Sequence, residues 1–202
     1  MNVLEAIYGR RSIKAFDPEH KMTADEQQKL FEAMIQAPTS FNIQHWRFVL
    51  LKDPELRAKI RKEYGNDQSQ MTDASLLVLF TADTKAWQKE PSRYWKNAPQ
   101  EVADLLVGWM GPFHEGREWL QRDEAQRSIG MAMQTLMLTA KELGYESCPM
   151  IGFDIEEVAK LINLPDDHVM GPMVAIGKGT KDPWPKPGQL NLDELVVENG
   201  FE

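Results

Sequence analysis

The sequence predicts a single domain in which helices cover both faces of a β-sheet. Two observations carry this prediction: helix starts are marked by capping residues, and several short runs are almost continuously apolar. Chain length is the third, because 202 residues are enough for one well-buried core. We therefore expect one domain over residues 1–202, without an internal repeat or a domain linker.

Several helices can be placed from their starts and stops. Asp53-Pro54 opens one of them, since proline is tolerated at the first helical position, and Pro38 stops the helix before it. The longest helix is expected from about Asp123, with Gln126 completing its cap, to Gly144. Three further starts carry a cap with an acidic residue three positions on: Asn2 with Glu5, Thr23 with Glu26, and Asp154 with Glu157.

Short apolar runs predict strands that are buried on both faces. These are Trp46–Leu51, Leu76–Phe80 and Met173–Ile176, with a weaker candidate at Tyr145–Cys148. The region Thr84–Glu118 predicts loop and helix and is a candidate lid. The chain after Gly177 contains three closely spaced prolines and should be extended.

The segment Ile129–Leu138 of the longest helix is apolar on nearly every side. Only Gly130, Gln134 and Thr135 interrupt its apolar residues. Such a helix must be covered on nearly every side, which an intertwined dimer achieves more easily than a monomer of this size.

Composition limits the classes of partner that the protein can bind and the cellular compartment in which it is expected. The formal net charge is −8 and the pI about 5.1, so nucleic acid is an unfavourable partner and any basic site must be a local pocket. Cys148 is the only cysteine, which rules out an intramolecular disulfide. With no signal peptide and no apolar run of about 20 residues, we expect a cytoplasmic protein without a membrane anchor.

Familiar catalytic motifs are absent from the sequence. The four histidines are scattered without metal-ligand spacing, so no metal is expected, and no Gly-x-Ser-x-Gly elbow is present. A Gly-x-Gly-x-x-Gly fingerprint is also missing. The run Gly171–Thr180 is not a P-loop, because its glycine spacing is wrong and no helix follows. A lone Cys148 at a strand end is better explained by packing than by nucleophilic chemistry.

Three polar segments beside apolar elements remain as candidates for a site. Arg10–Lys14 follows the first helix and, taken alone, is typical of a solvated basic helix end. Pro38–Trp46 carries five hydrogen-bonding side chains before its tryptophan, and Pro149–Asp154 leads into a capped helix. Each could be an ordinary turn.

In their order and spacing, these segments resemble the nitroreductase family from end to end. The resemblance also includes Asp73-Ala74-Ser75, Leu143-Gly144-Tyr145 and Ile176-Gly177-Lys178. It implies an α+β fold with a mostly antiparallel sheet flanked by helices, and two interlocked subunits with one FMN in each of two interface sites. The tail over residues 178–202 would contact the partner subunit.

The resemblance also implies a role for particular residues. Arg10 would bind the FMN phosphate, Arg11 and Ser12 would lie along the ribityl chain and ring, and Lys14 would add positive charge. The partner would supply Pro38, Thr39, Ser40, Asn42 and Gln44. Gln70 would lie near the flavin pyrimidine edge, whereas Asp67 stands where asparagine is common.

Two further contacts complete the implied site. Pro149, Met150, Ile151 and Gly152 would lie beneath the flavin, with a backbone N–H facing N5. Lys186 would be a second phosphate contact, which Lys178 or Lys181 could support.

The activity implied is electron transfer from NADH or NADPH through FMN to nitroaromatics, quinones or similar small oxidised substrates. A ping-pong hydride mechanism of this kind needs no catalytic side chain, because the cofactor carries the chemistry. One alternative is reduction or dehydrogenation of another metabolite, such as an enal or a semialdehyde. Another is a flavin-binding protein without turnover.

Overall fold

A computed structural model describes residues 2–201 as an α+β domain. Its helices are α1 (Val3–Gly9), α2 (Ala24–Met34), α3 (Pro54–Lys59), α4 (Gln70–Asp73), α5 (Gln100–His114), α6 (Glu118–Glu142), α7 (Ile155–Leu161) and α8 (Leu192–Leu195). A π-helical turn at Ile60–Tyr64 extends α3, and short 3-10 turns lie at Ser40–Asn42, Ala86–Gln88 and Pro91–Trp95. The strands are β1 (Trp46–Leu50), β2 (Leu76–Asp83), β3 (Glu146–Met150) and β4 (His168–Gly177).

The four strands form one antiparallel sheet in the order β1-β2-β4-β3. Every residue of the central strand β2 is buried. Alternate residues of β2 enter two separate cores: Val78 and Phe80 pack towards α2 and α6, whereas Leu77 and Leu79 pack towards the α3, α4 and α7 side. The prediction of a sheet covered on both faces is confirmed.

The helix-start predictions are confirmed at three of five positions. Asn2 and Thr23 form complete capping boxes, and Asp53 caps α3 with proline inside the first turn. At Asp154 only half of the predicted reciprocal capping box forms, so this prediction is wrong in part. Its carboxylate accepts from the first turn of α7, but its own N–H is already bound to Tyr64 O at 2.8 Å.

The predicted start of the long helix is also wrong. Helix α6 begins at Glu118 rather than near Asp123, and its N-cap Arg117 makes no side-chain cap. The first turn of α6 is instead held by packing on α5: Leu120 is buried, and Gln121 donates to His114 O at 2.7 Å. The other end is as expected, because Gly144 adopts a left-handed backbone with φ of +74°.

Two regions gain detail beyond the prediction. Thr84–Glu118 holds two 3-10 turns and the fifteen-residue α5, packed around a third cluster of Ile43, Ala86, Tyr94 and Met110. Residues 181–201 are exposed and irregular except for α8. Within residues 2–201, no helix is both long and apolar enough to cross a membrane.

Candidate functional site

The basic segment that follows α1 is fixed against strand β3. Ile13 is buried, and its N–H donates to Ser147 O at 3.1 Å, while Ser12 forms a parallel bridge with Ser147. Since side chains alternate along an extended segment, anchoring Ile13 turns Ser12 and Lys14 outwards. Both line a pocket of about 490 Å³, together with Ser69, Lys181 and Trp184.

Arg10 and Arg11 differ in what their guanidinium groups contact. Arg11 turns back onto the chain and donates to Tyr8 O at 2.8 Å and to Arg10 O at 3.2 Å. By contrast, Arg10 Nη1 is buried and has no hydrogen-bond partner among residues 2–201. A buried charged donor without an acceptor is costly, so Arg10 suits a site that an anionic group completes.

The positive charge of this segment reaches the adjacent buried thiol. Burial raises the pKa of Cys148, and the nearby cations Lys14 and Arg10 oppose that rise. Cys148 is itself buried in the core, as expected for a packing residue. The two cations therefore create a local positive potential at β3 on an otherwise acidic protein.

The loop after β3 is held from the side of α4. Gly152 O accepts from Gln68 Nε2 at 2.8 Å and from Asn66 Nδ2 at 3.1 Å, and Gln68 Oε1 accepts from buried Gln70 at 3.0 Å. Gln68 and Asn66 were not predicted as site residues. Their only sequence signal is the turn-forming Gly65-Asn66 pair.

These contacts place Gln70 and Pro149–Gly152 in one neighbourhood. Pro149 and Met150 end β3, and Ile151 and Gly152 are exposed beyond it. Asp67 is turned aside, because its carboxylate binds Arg61 at 2.8 Å.

The segment Pro38–Gln44 has an unusual backbone. Phe41, Asn42 and Gln44 have φ of 49°, 54° and 52°, in the left-handed region that residues other than glycine seldom adopt. Thr39 Oγ1 accepts from Gln44 N–H at 3.0 Å, and Asn42 donates to Tyr94 O at 2.8 Å. The conformation is thus held by internal bonds and by the 3-10 turn at Tyr94.

This segment also leaves a polar atom without a partner. Ser40 Oγ is buried and unbonded among the residues described. Arg10 Nη1 and Ser40 Oγ are therefore two unsatisfied atoms in two segments for which the resemblance described above implies contact with a cofactor. The residues present fit a ligand that brings both an anion and further hydrogen-bonding groups.

Within one chain, however, these two segments lie at opposite edges of the sheet. Pro38–Gln44 leads into β1, whereas Arg10–Lys14 and Gly152 adjoin β3. The order β1-β2-β4-β3 separates the edge strands by three strand spacings, about 14 Å. The fold brings Arg10–Lys14, Gln70 and Pro149–Gly152 together and keeps Pro38–Gln44 apart from them.

The three candidate lysines occupy distinct positions. Lys181 lines the pocket beside Ser12 and Lys14. Lys178 donates to Gly144 O at 2.7 Å, and its ammonium lies 4.0 Å from the ring centroid of Tyr145. Lys186 is exposed in the tail. Lys181 is thus the lysine that the protomer itself places next to the basic segment.

Two histidines lie buried beneath Pro38–Gln44. His45 Nδ1 is 3.0 Å from Ser128 Oγ, and His114 Nδ1 is 2.8 Å from Met110 O. Burial, followed by the proximity of His114, lowers the pKa of His45 to about 4, and burial also lowers the pKa of His114. Both rings are therefore neutral at pH 7, and His114 stacks on Trp87.

One cluster of two aspartates and a histidine has the spacing of a metal site but is bridged by a lysine ammonium. Asp83, Asp167 and His168 offer ligand atoms within 4.8 Å of one another. The Lys89 ammonium bridges it, at 2.8 Å from Asp83 and 2.5 Å from Asp167. The cluster is therefore an ion-pair network in which one ammonium serves two carboxylates, and it ties the start of the Thr84–Glu118 region to the sheet.

Comparison with known proteins extends these observations to the whole chain. The family model described as "Nitroreductase family" matches residues 7–178. Protein DrgA of Synechocystis is 61% identical over 97% of this chain and 95% of that protein. MhqN of Bacillus subtilis, which carries the name NAD(P)H nitroreductase, is 33% identical over 93% of this chain and 94% of its own length.

Solved structures agree with this family and its fold. A protein from Exiguobacterium sibiricum, named as a nitroreductase in complex with FMN, superposes with a TM-score of 0.89 at 25% identity and covers 98% of this chain and 97% of its own. The enone reductase CLA-ER superposes with a TM-score of 0.86 at 25% identity, over 98% of each chain. From the family match and the shared fold, we conclude that this chain belongs to the nitroreductase family and is an NAD(P)H-dependent oxidoreductase.

Proposed function

We propose that the protein is a homodimeric, FMN-dependent reductase that passes electrons from NAD(P)H to nitroaromatics, quinones or similar acceptors by a ping-pong mechanism. The observation that carries the proposal is the pair of incomplete half-sites. Arg10 and Ser40 each hold a buried polar atom without a partner, in segments that lie at opposite edges of the sheet. One FMN bound between two chains would satisfy both.

One half-site holds the phosphate and supports the ring. Arg10, Lys14 and Lys181 supply the positive charge, and Arg10 can bind phosphate bidentately. Arg11 and Ser12 follow along the ribityl chain. Gln70 and the Pro149–Gly152 backbone lie beneath the ring, where Gln68 fixes Gly152 by its carbonyl. Lys186 of the exposed tail is a further phosphate contact.

The other half-site comes from the partner. Pro38–Gln44 presents Thr39, Ser40, Asn42 and Gln44 in a backbone that the internal bonds hold in place. Asn42 and Gln44 can both donate and accept, as the flavin pyrimidine edge requires. When bound, FMN supplies the redox chemistry, accepting hydride from the nicotinamide and returning it to the acceptor.

Exposed apolar side chains support the dimer. Helix α1 exposes Val3, Leu4 and Tyr8, Met131 is exposed on α6, and Trp184 in the tail is 88% exposed. Large apolar surfaces of this kind are typical of protein interfaces. The exposed face of α6 falls within the segment whose apolar pattern predicts a partner.

The experiment is purification followed by reconstitution and turnover. We expect a yellow protein with one FMN per chain that oxidises NADH or NADPH only when a nitroarene or a quinone is added. Release of FAD, or no flavin after reconstitution, would contradict the cofactor assignment. Bound FMN without acceptor-dependent turnover would favour a flavin-binding protein.

A second acceptor class is favoured by one relative. The enone reductase of Lactiplantibacillus plantarum is 28% identical over 90% of this chain. An enone, like a quinone, accepts hydride at an electron-poor carbon. Testing an α,β-unsaturated ketone beside a quinone at matched concentrations separates the two classes by kcat/KM.

A further inference from the structure

Three cationic side chains gather in an open pocket beside Pro38–Gln44. The pocket has a volume of about 470 Å³, and its lining comprises Gln44, Trp46, Arg47, Arg93, Tyr94 and Lys96. We propose that this pocket binds the 2′-phosphate of NADPH, so that NADPH is preferred over NADH as electron donor. The inference rests on the proposed function, because it assigns the donor used at that site.

The charge of the pocket contrasts with that of the protein. The chain carries a net charge of −8, yet Arg47, Arg93 and Lys96 line this one cavity. Asp83 is the buried carboxylate nearby, and Lys89 binds it at 2.8 Å, whereas Arg47 is 4.0 Å away. Lys89 is shared with Asp167 at 2.5 Å, and Arg47 also pairs with Asp83, so the positive charge that the pocket offers to an anion is that of Arg93 and Lys96, which form no salt bridge among the residues described.

Two of the cations are held in position before any ligand arrives. Arg47 Nη1 donates to Gln44 O at 3.1 Å and to Trp46 O at 2.7 Å. The Arg93 guanidinium lies 4.8 Å from the ring centroid of Tyr94 and donates to the Tyr94 hydroxyl at 2.8 Å. Planar groups fixed in this way lose little freedom on binding phosphate, and guanidinium matches phosphate geometry bidentately.

The assignment of the pocket to the 2′-phosphate rests on where the pocket lies. Gln44 lines the pocket and also belongs to the segment assigned to the flavin. A nicotinamide that stacks on the flavin must extend its adenosine half across neighbouring surface, and this pocket adjoins the segment directly. NADH and NADPH share the pyrophosphate and differ only by the 2′-phosphate, so the terminal anion is what a cationic pocket distinguishes.

Steady-state kinetics of the FMN-loaded enzyme with a neutral quinone test the assignment. We expect the double variant Arg93→Ala/Lys96→Ala to raise KM for NADPH by roughly ten- to a hundredfold, with KM for NADH changed less than about twofold. Lys29→Ala, which removes an exposed lysine of α2 that lines neither pocket, should change neither value. Arg93→Lys should restore part of the NADPH preference.

Calorimetry with adenosine 2′,5′-bisphosphate and with AMP gives a second readout that needs no turnover. The bisphosphate should bind wild type more tightly than AMP does, and the double variant should lose that difference. Equal losses for NADH and NADPH, or unchanged KM values for both, would overturn the proposal. If neither nucleotide is oxidised while the bisphosphate still binds selectively, the proposed function fails and the anion site stands.

Discussion

Acidification should destabilise the protein through the buried histidine that follows the flavin segment. The pKa of His45 lies at about 4 in the folded protein, against 6.5 for an exposed histidine. The unfolded chain therefore binds a proton more readily, and the stability contributed by neutral His45 is complete above about pH 6.5 and is lost as pH falls towards 4. Between the two pKa values each pH unit costs about 1.4 kcal/mol, so the loss from pH 7 reaches roughly 2.5 kcal/mol by pH 4.5.

The assay is urea unfolding of the FMN-loaded protein at fixed protein concentration between pH 7 and pH 4.5. His45→Gln is the matched variant, because glutamine is similar in size and can still bond Ser128 Oγ but does not titrate. Wild type should lose more unfolding free energy than the variant over this interval. The carboxylate of Glu26 does not interfere, since its pKa is lowered to about 2 by hydrogen bonds from Thr23 and its contribution is lost only below pH 4.5.

The pH dependence of the two proteins decides the outcome. Parallel loss of stability in wild type and His45→Gln would refute the argument that a buried neutral ring opposes protonation. His114, whose pKa burial also lowers, remains in both proteins and contributes a pH dependence to each.

The remaining predictions concern the anion site and the ion-pair network. Arg10→Ala and Lys181→Ala should each weaken FMN binding by about 1.5–3 kcal/mol, as measured by fluorescence titration, whereas Lys29→Ala should leave it unchanged. If all three variants bound FMN with equal affinity, neither Arg10 nor Lys181 would belong to the phosphate site. Lys89→Met should lower the free energy of unfolding by about 2 kcal/mol, because buried Asp83 would lose its closer cation and keep only Arg47 at 4.0 Å. A change within error in chemical denaturation would show that solvent or Lys85 N–H suffices for Asp83.

Local signals explain why much of the fold could be predicted. The capping boxes at Asn2 and Thr23 form between residues three positions apart. The buried strands could be predicted because each is a nearly continuous run of apolar residues. The start of α6 depends instead on Gln121 reaching His114 O in another helix. The failed half of the Asp154 box depends on Tyr64, ninety residues away, whose carbonyl takes the N–H.

The same contrast between local and long-range signals applies to the candidate site. The segments at Arg10–Lys14 and Pro38–Gln44 could be singled out as candidates from their hydrogen-bonding or cationic residues, but only the resemblance to the family assigns them to a cofactor. Gln68 could not, since its role arises only when the loop after β3 folds back to offer Gly152 O. Likewise, Lys181 rather than Lys178 lies beside the basic segment because Gly179 pairs with Phe16, a contact that the sequence does not indicate.

The measurement that tests the shared site most directly is complementation between two defective chains. Arg10→Glu places a carboxylate at the phosphate site, and Ser40→Asp alters the segment assigned to the partner, so neither homodimer should retain FMN. In a mixed dimer purified with two different affinity tags, one site receives Arg10 and Ser40 from unaltered segments and the other site receives both changes. We expect such dimers to bind one FMN per two chains and to regain NAD(P)H oxidation with a quinone. Mixed dimers that bind no FMN, while wild-type chains carrying the same two tags bind two, would contradict an FMN site built from two chains.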